Sequence, residues 1–239
     1  MTIVLFDIDG TLLHTLGAGV RGMNTAFERL HGRAGALDGL QIAGRTDLSI
    51  VGDAFRRLGI EPSTEAVHAL RDAYFDELRI ELARPSDRDG FFGVLPGVHE
   101  ALAAMEGRED VAVGLLTGNF VTGAEIKLGH FDLWRRFAFG AFGDHHTDRR
   151  DLVPVAVRAA ARTGCVPGTV VVIGDTPLDI DCAHAHGAIA VAVATGPYRP
   201  DQLADADLVV ETLGALTLDE LWTLVGKKSR AGLDERRDV

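Results

Sequence analysis

The stretch Ile3-Val4-Leu5-Phe6-Asp7-Ile8-Asp9-Gly10-Thr11-Leu12 sets the reading of the whole chain. Four apolar residues form a short buried-strand run that ends at Asp7, and the polar group DxDGT follows at once. Residues two apart on a strand project to the same face, so Asp7 and Asp9 are set to converge on one cation or one reacting atom just past the strand's end. Gly10 lets the chain leave sharply.

Outward from this strand, the pattern divides in two. Residues 17–30, 46–58 and 62–83 read as helices; Thr46 or Asp47 is placed to cap the second, and Pro62-Ser63 opens the third. No strand is expected between about 15 and 85, and 85–96 reads as a return linker. From Gly97 helix and strand alternate: helices 97–106, 121–129, 151–163 and 178–186, with strands 111–116, 138–142, 169–174 and 188–193. A short strand 208–210 and a helix 214–225 follow. Strands rich in Val, Ile and Ala without polar alternation point to a parallel sheet covered on both faces. The predicted organisation is an α/β, Rossmann-like core from residues 1–14 and 95–226, interrupted by an all-helical insertion, 15–94. The charged tail 227–239 reads as disordered.

Composition narrows the function. The chain has 239 residues, 46% of them hydrophobic, ample for a core. A net charge of −11 argues against nucleic acid or an anionic membrane as a general partner. The N-terminus has no basic region, and its apolar run stops at an aspartate, so neither a signal peptide nor a membrane anchor is expected and a cytoplasmic location is. Cys165 and Cys182 read as free buried thiols. Oligomeric state, monomer or homodimer, is not encoded in any feature of the sequence.

In open parallel sheets ligands bind beyond the carboxyl ends of the strands. Strand 111–116 ends in Thr117-Gly118-Asn119, which offers a hydroxyl, an amide and backbone donors suited to phosphate oxygens. Strand 169–174 ends in Gly174-Asp175-Thr176-Pro177-Leu178-Asp179, adding two carboxylates four residues apart. In this combination and order, FDIDGTL, LLTGN and VIGDTPLDI resemble the motifs of the haloacid dehalogenase-like hydrolases. LPGVHEAL and VATGPY resemble further segments of the phosphoglycolate phosphatase-like branch. The resemblance spans about residues 3–225.

It implies a Rossmann-like core with a helical cap, and Mg²⁺-dependent hydrolysis of a small phosphorylated substrate through an aspartyl-phosphate. Asp7 would be the nucleophile. Asp9 would act as general acid and base, with a pKa raised by neighbouring negative charge. Asp7, Asp9 through its carbonyl, and Asp175 would hold Mg²⁺. Thr117 with the amides of Gly118 and Asn119 would hold the phosphoryl group, and Asp179 would orient the loop. The third-motif lysine is missing from its usual place, where Arg149-Arg150 stand; Lys127 is the favoured cation and either arginine the alternative. No lysine lies in 15–95, which excludes a Schiff-base phosphonatase. Gly19 stands where phosphomutases of this kind carry a histidine, so hydrolysis of a phosphoglycolate-like monoester is preferred. A nucleotidase, sugar-phosphate phosphatase or phosphomutase is the alternative within the family, and a non-catalytic module that binds a phosphorylated ligand is the alternative outside it.

Three further features complete the reading. Gly44-Arg45-Thr46-Asp47 is the candidate substrate-recognition loop of the insertion, with Arg45 able to fork onto an anion. Asp144-His145-His146-Thr147-Asp148 reads as a loop at the rim of the site rather than a metal centre. Phe131, Trp134 and Phe137 read as core.

Overall fold

In the computed structural model, residues 1–84 and 89–234 are described. Strand β1, Thr2–Phe6, lies at the centre of a six-stranded parallel sheet. Its neighbours are β4, Val111–Leu116, and β6, Val170–Gly174. Outside these lie β5, Gly140–Ala141, on one edge and β7, Ile189–Val193, with β8, Leu208–Val210, on the other. The continuous apolar runs have a plain cause. Val4 and Phe6 enter one hydrophobic cluster while Ile3 and Leu5 enter another, and all four are fully buried. Because helices cover both faces, period-two alternation of side chains leaves no polar face to show.

The covering helices are α4, Val98–Met105; α5, Val121–His130; α6, Leu152–Arg162; and α7, Pro177–His184. Between β1 and α4 three helices form a separate cluster: α1, Ala18–His31; α2, Asp47–Arg57; and α3, Thr64–Ala83. Each of the last two begins at a side-chain cap, Thr46 accepting from the Ser49 amide and Ser63 from that of Ala66. Phe27, Phe55, Leu70, Tyr74 and Leu78 make their interior, joined by Phe120 from the loop after β4. A side chain at Gly22 would stand 3.1 Å from the Leu78 amide, so the α1–α3 crossing is as close as glycine allows.

Two parts of the sequence reading need correction. The stretches at either end of the insertion are not strandless. β2, Leu13–Thr15, pairs antiparallel with β3, Phe92–Val94, matching Leu13 to Val94 and Thr15 to Phe92. Three-residue strands are too short to reveal a period. The last helix, α8, Leu218–Asp234, begins later than expected and continues into the stretch read as a disordered tail. Lys, Arg, Ala and Leu there are good helix formers. The remainder of that tail, 235–239, lies outside the described residues, as do 85–88 of the expected linker. Cys165 and Cys182 are free and buried. Phe131, Trp134 and Phe137 pack against the first sheet cluster. No helix among the described residues is long and apolar enough to cross a membrane.

Candidate active site

The carboxyl ends of β1, β4 and β6 open onto a cavity of about 230 Å³, roofed by the helical insertion. Asp7 is fixed at the end of β1 by its own amide, which donates to the Ile173 carbonyl at 2.9 Å. Asp175 follows β6, buried at 2% exposure, and accepts from the Thr11 hydroxyl at 3.3 Å. Side chains at Gly10 or Gly196 would collide with its carboxylate at 2.3 and 1.7 Å. Both positions must therefore stay bare.

Carboxylate oxygens of Asp7, Asp175 and Asp179 lie within 4.8 Å of one another, the one such acidic, His or Cys group found among the described residues. Two of them, Asp7 and Asp179, share a single guanidinium. Arg149, 6% exposed, sets Nη2 3.1 Å from Asp7 Oδ1 and 2.5 Å from Asp179 Oδ1. Burial pushes Asp7 up to about 6; Arg149 opposes the rise, and the charges of Asp179 and Asp9 add to it. Asp175 is raised well above the ordinary range, first by burial, then by Asp7 and Asp179. The three aspartates do not play equal parts. Asp179 is already saturated, its other oxygen accepting from the Thr176 amide and hydroxyl in a capping box that starts α7. Asp7 and Asp175 face each other with less than one positive charge between them. Buried hard oxygen donors short of positive charge are the donor set that Mg²⁺ takes, so the residues fit that ion.

Across the cavity, a second network is closed on itself. Lys127, one of the few buried lysines a protein tolerates, sends Nζ to Asp9 Oδ2 at 2.6 Å and to Asn119 Oδ1 at 2.7 Å. The Asn119 amide donates to Asp9 Oδ2 at 2.9 Å and to Thr117 Oγ1 at 2.8 Å. Burial acts to raise Asp9, but the Lys127 charge and the hydrogen bonds from Lys127 and Asn119 outweigh it and hold Asp9 below its usual range. That reverses the expected upward shift: the nearest charge to Asp9 is an ammonium, which local sequence spacing does not reveal.

The expected residues therefore meet at this cavity. Lys127 and Arg149 are both in the site, one at Asp9 and the other at Asp7. Arg150 is outside it, paired with Asp181 on the surface. Of the expected metal ligands, Asp7 and Asp175 adjoin while the Asp9 side chain belongs to Lys127. Gly118 is explained by a close approach, since a side chain there would lie 2.0 Å from the Arg45 carbonyl. Arg45 lines the cavity but its guanidinium is engaged, by Asp53 at 2.7 Å and the Gln41 carbonyl at 3.1 Å.

The insertion is fastened to the core at this point. The Asp47 amide donates to the Gly118 carbonyl at 2.7 Å, and its carboxylate accepts from the Phe120 amide at 2.9 Å. Arg149 Nη1 donates to the Gly44 carbonyl at 2.9 Å. Asp144 receives Arg71 from α3 and the Val121 amide, and the Thr147 carbonyl accepts from the Thr46 hydroxyl. The 144–148 loop thus joins insertion to core. Asp47, from the loop expected to recognise substrate, does line the cavity. Tyr74 and Arg71 were missed as neighbours of the site: each reads locally as an ordinary helix residue, and nothing in the sequence reports contacts made with distant residues.

Comparison with known proteins agrees with this fold. The family model for the haloacid dehalogenase-like hydrolases matches residues 4–184. The tyrosine-protein kinase PtkA of Mycobacterium tuberculosis is 29% identical over 94% of this chain and 72% of that protein. A probable phosphatase, IndB of Dickeya dadantii, is 26% identical over 88% of this chain and 89% of that protein. Among solved structures, CbbY from Rhodobacter sphaeroides in complex with phosphate superposes with a TM-score of 0.67 at 18% identity, over 89% of this chain and 94% of that one. That likeness is one of fold.

Proposed function

The chain belongs to the haloacid dehalogenase-like hydrolases, and from that premise we propose that it hydrolyses a phosphomonoester by way of an aspartyl-phosphate, with the insertion 15–94 acting as a cap over the core of 1–14 and 95–226. The observation that carries the reading is the pairing of two dissimilar carboxylates on one strand end. Asp7 sits in a pocket short of positive charge, and Asp9, two residues on, is held ionised by Lys127.

In this reading an Asp7 carboxylate oxygen attacks phosphorus, the bond to the ester oxygen breaks, and the departing alcohol takes a proton from Asp9. A phosphate dianion entering beside Lys127 competes for its ammonium, so Asp9 recovers the proton affinity that a general acid needs. Water then attacks the acyl phosphate and gives its proton back to Asp9, which releases phosphate and restores Asp7. Thr117 and the loop amides of Gly118 and Asn119 bind the phosphoryl oxygens. Arg149 holds Asp7 in line, and Asp179 holds Arg149. Asp7, Asp175 and the Asp9 carbonyl would hold Mg²⁺, which when bound neutralises the phosphoryl charge.

The relatives named tyrosine-protein kinase favour a second reading, in which the phosphoryl group passes to a hydroxyl instead of water. One experiment separates the two: phosphate release from a panel of phosphomonoesters, with Mg²⁺ and with excess chelator, on the wild type and on Asp7→Asn. Release that requires Mg²⁺ and vanishes in the variant is expected. Transfer to an added alcohol or peptide without free phosphate would replace hydrolysis by the second reading.

A further inference from the structure

The cavity has two unlike walls. On the core side lie the carboxylates, Lys127 and Arg149; on the insertion side the lining is mostly Val20, Met23, Ile42, Ile50 and the ring of Tyr74. Each arginine or lysine that lines the cavity already has a carboxylate: Lys127 has Asp9, Arg149 has Asp7 and Asp179, and Arg45 has Asp53. His14 Nδ1 lies 3.0 Å from the Phe91 carbonyl and 3.4 Å from the Leu16 amide. The further charge that the insertion brings is itself negative, the carboxylate of Asp47.

Resting on the phosphatase reading, we infer that the substrate is the phosphate ester of an uncharged, largely apolar alcohol, and that a second anionic group on the alcohol is selected against. The phosphoryl group is met by the core wall. Whatever it is attached to must meet the insertion wall, where an apolar chain or ring finds matching surface. A carboxylate or second phosphate there would find no lysine or arginine without a carboxylate partner, and would have to take Arg45 from Asp53 while lying near Asp47. Leaving buried charges unpaired makes that unfavourable. Size agrees, since a cavity of about 150 Å³ holds a benzene ring; 230 Å³ admits a phosphoryl group with a chain or ring of similar bulk. By the same reasoning phosphoglycolate, whose alcohol carries a carboxylate, is expected to be a poor substrate.

The test uses a matched pair, pentyl phosphate and 5-phosphooxypentanoate, which differ by one terminal carboxylate. With the wild-type protein and Mg²⁺, kcat/KM for pentyl phosphate is expected to exceed that for its partner by at least about tenfold. In Ile42→Arg, which adds a cation at a half-buried position of the insertion wall, the ratio should fall by about tenfold or invert. Equal turnover of the pair by the wild type, or preference for the carboxylate, overturns the inference. If neither ester releases phosphate, the phosphatase reading fails separately, and calorimetric binding of pentylphosphonate and 5-phosphonopentanoate decides: tighter binding of the first supports the inference, and equal or reversed affinities overturn it.

Discussion

The two walls of the cavity solve opposite problems. The core wall concentrates charge: Asp7, Asp9, Asp175, Asp179, Lys127 and Arg149 all meet at the ends of three adjacent strands. The insertion wall disperses it, offering alkyl and aromatic surface and pairing its own Arg45 with Asp53. Burying so many charges is costly, and it is tolerated where each has a fixed partner or awaits a ligand. On the proposed function, chemistry belongs to the core wall and selection to the insertion wall, and the two are joined where Gly44, Thr46 and Asp47 bond the core.

Changes on the core wall should therefore be large. Asp7→Asn is expected to lower phosphate release at least about 1,000-fold, roughly 4 kcal/mol, while its thermal midpoint stays level or rises because repulsion with Asp175 is relieved. A folded variant with near-normal turnover would show that the carboxylates are only structural. Arg149→Met strands Asp7 and Asp179 without a cation; a buried pair broken in this way costs about 3 kcal/mol, or roughly 6–12 °C in Tm for a chain of this size. An unchanged melting curve would mean that the arginine is not what holds the acidic group together. Lys127→Met is expected to reduce kcat by about 100-fold and to return the Asp9 carboxyl toward its ordinary range. NMR titration of that carboxyl distinguishes this effect from simple loss of structure.

The smallest effect belongs to the seam between the walls. Burial raises Asp47 from 3.8 to about 6, with Lys127 opposing and Asp9 and Asp144 contributing. The folded state thus binds a proton that the unfolded chain has already released. Stability from this group falls as pH rises from about 4 and is fully lost above about 6. Asp47→Asn keeps an acceptor for the Phe120 amide but has no charge to bury. Its Tm advantage over the wild type should grow as the pH rises from about 4 to 7. An advantage that is constant across that range would sever the link to Asp47 ionisation.

How legible each wall was in the sequence follows from how it is built. The core wall consists of strand ends, and a strand that stops at a polar residue announces itself within ten residues; Asp7, Asp9, Thr117 and Asp175 were visible for that reason. Lys127 and Arg149 were visible only as rivals for one role. That both enter the site depends on α5 and on the turn before α6 converging from opposite sides, a tertiary fact. The insertion wall was scarcely legible. Val20, Ile50 and Tyr74 carry the same helical spacing whether they face a neighbouring helix or a cavity, Ile42 sits in a connection with no period at all, and Arg45 reads as free until Asp53 is seen beside it. The shift of Asp9 went the wrong way in the sequence reading for the same reason, since its partner is 118 residues distant.

The ribbon of β2 and β3 has a consequence for descent. Both passages of the chain between core and insertion run through it, and they are hydrogen-bonded to one another over Leu13–Thr15 and Phe92–Val94. A segment whose two ends are already clasped together imposes almost no demand on what lies between them. Recombination can exchange what lies between Thr15 and Phe92 for another helical roof of different lining, provided the replacement renews the bonds that Gly44, Thr46 and Asp47 make to the core. Such a joint makes new substrate preferences accessible in one genetic event, where reshaping the charged floor would take many.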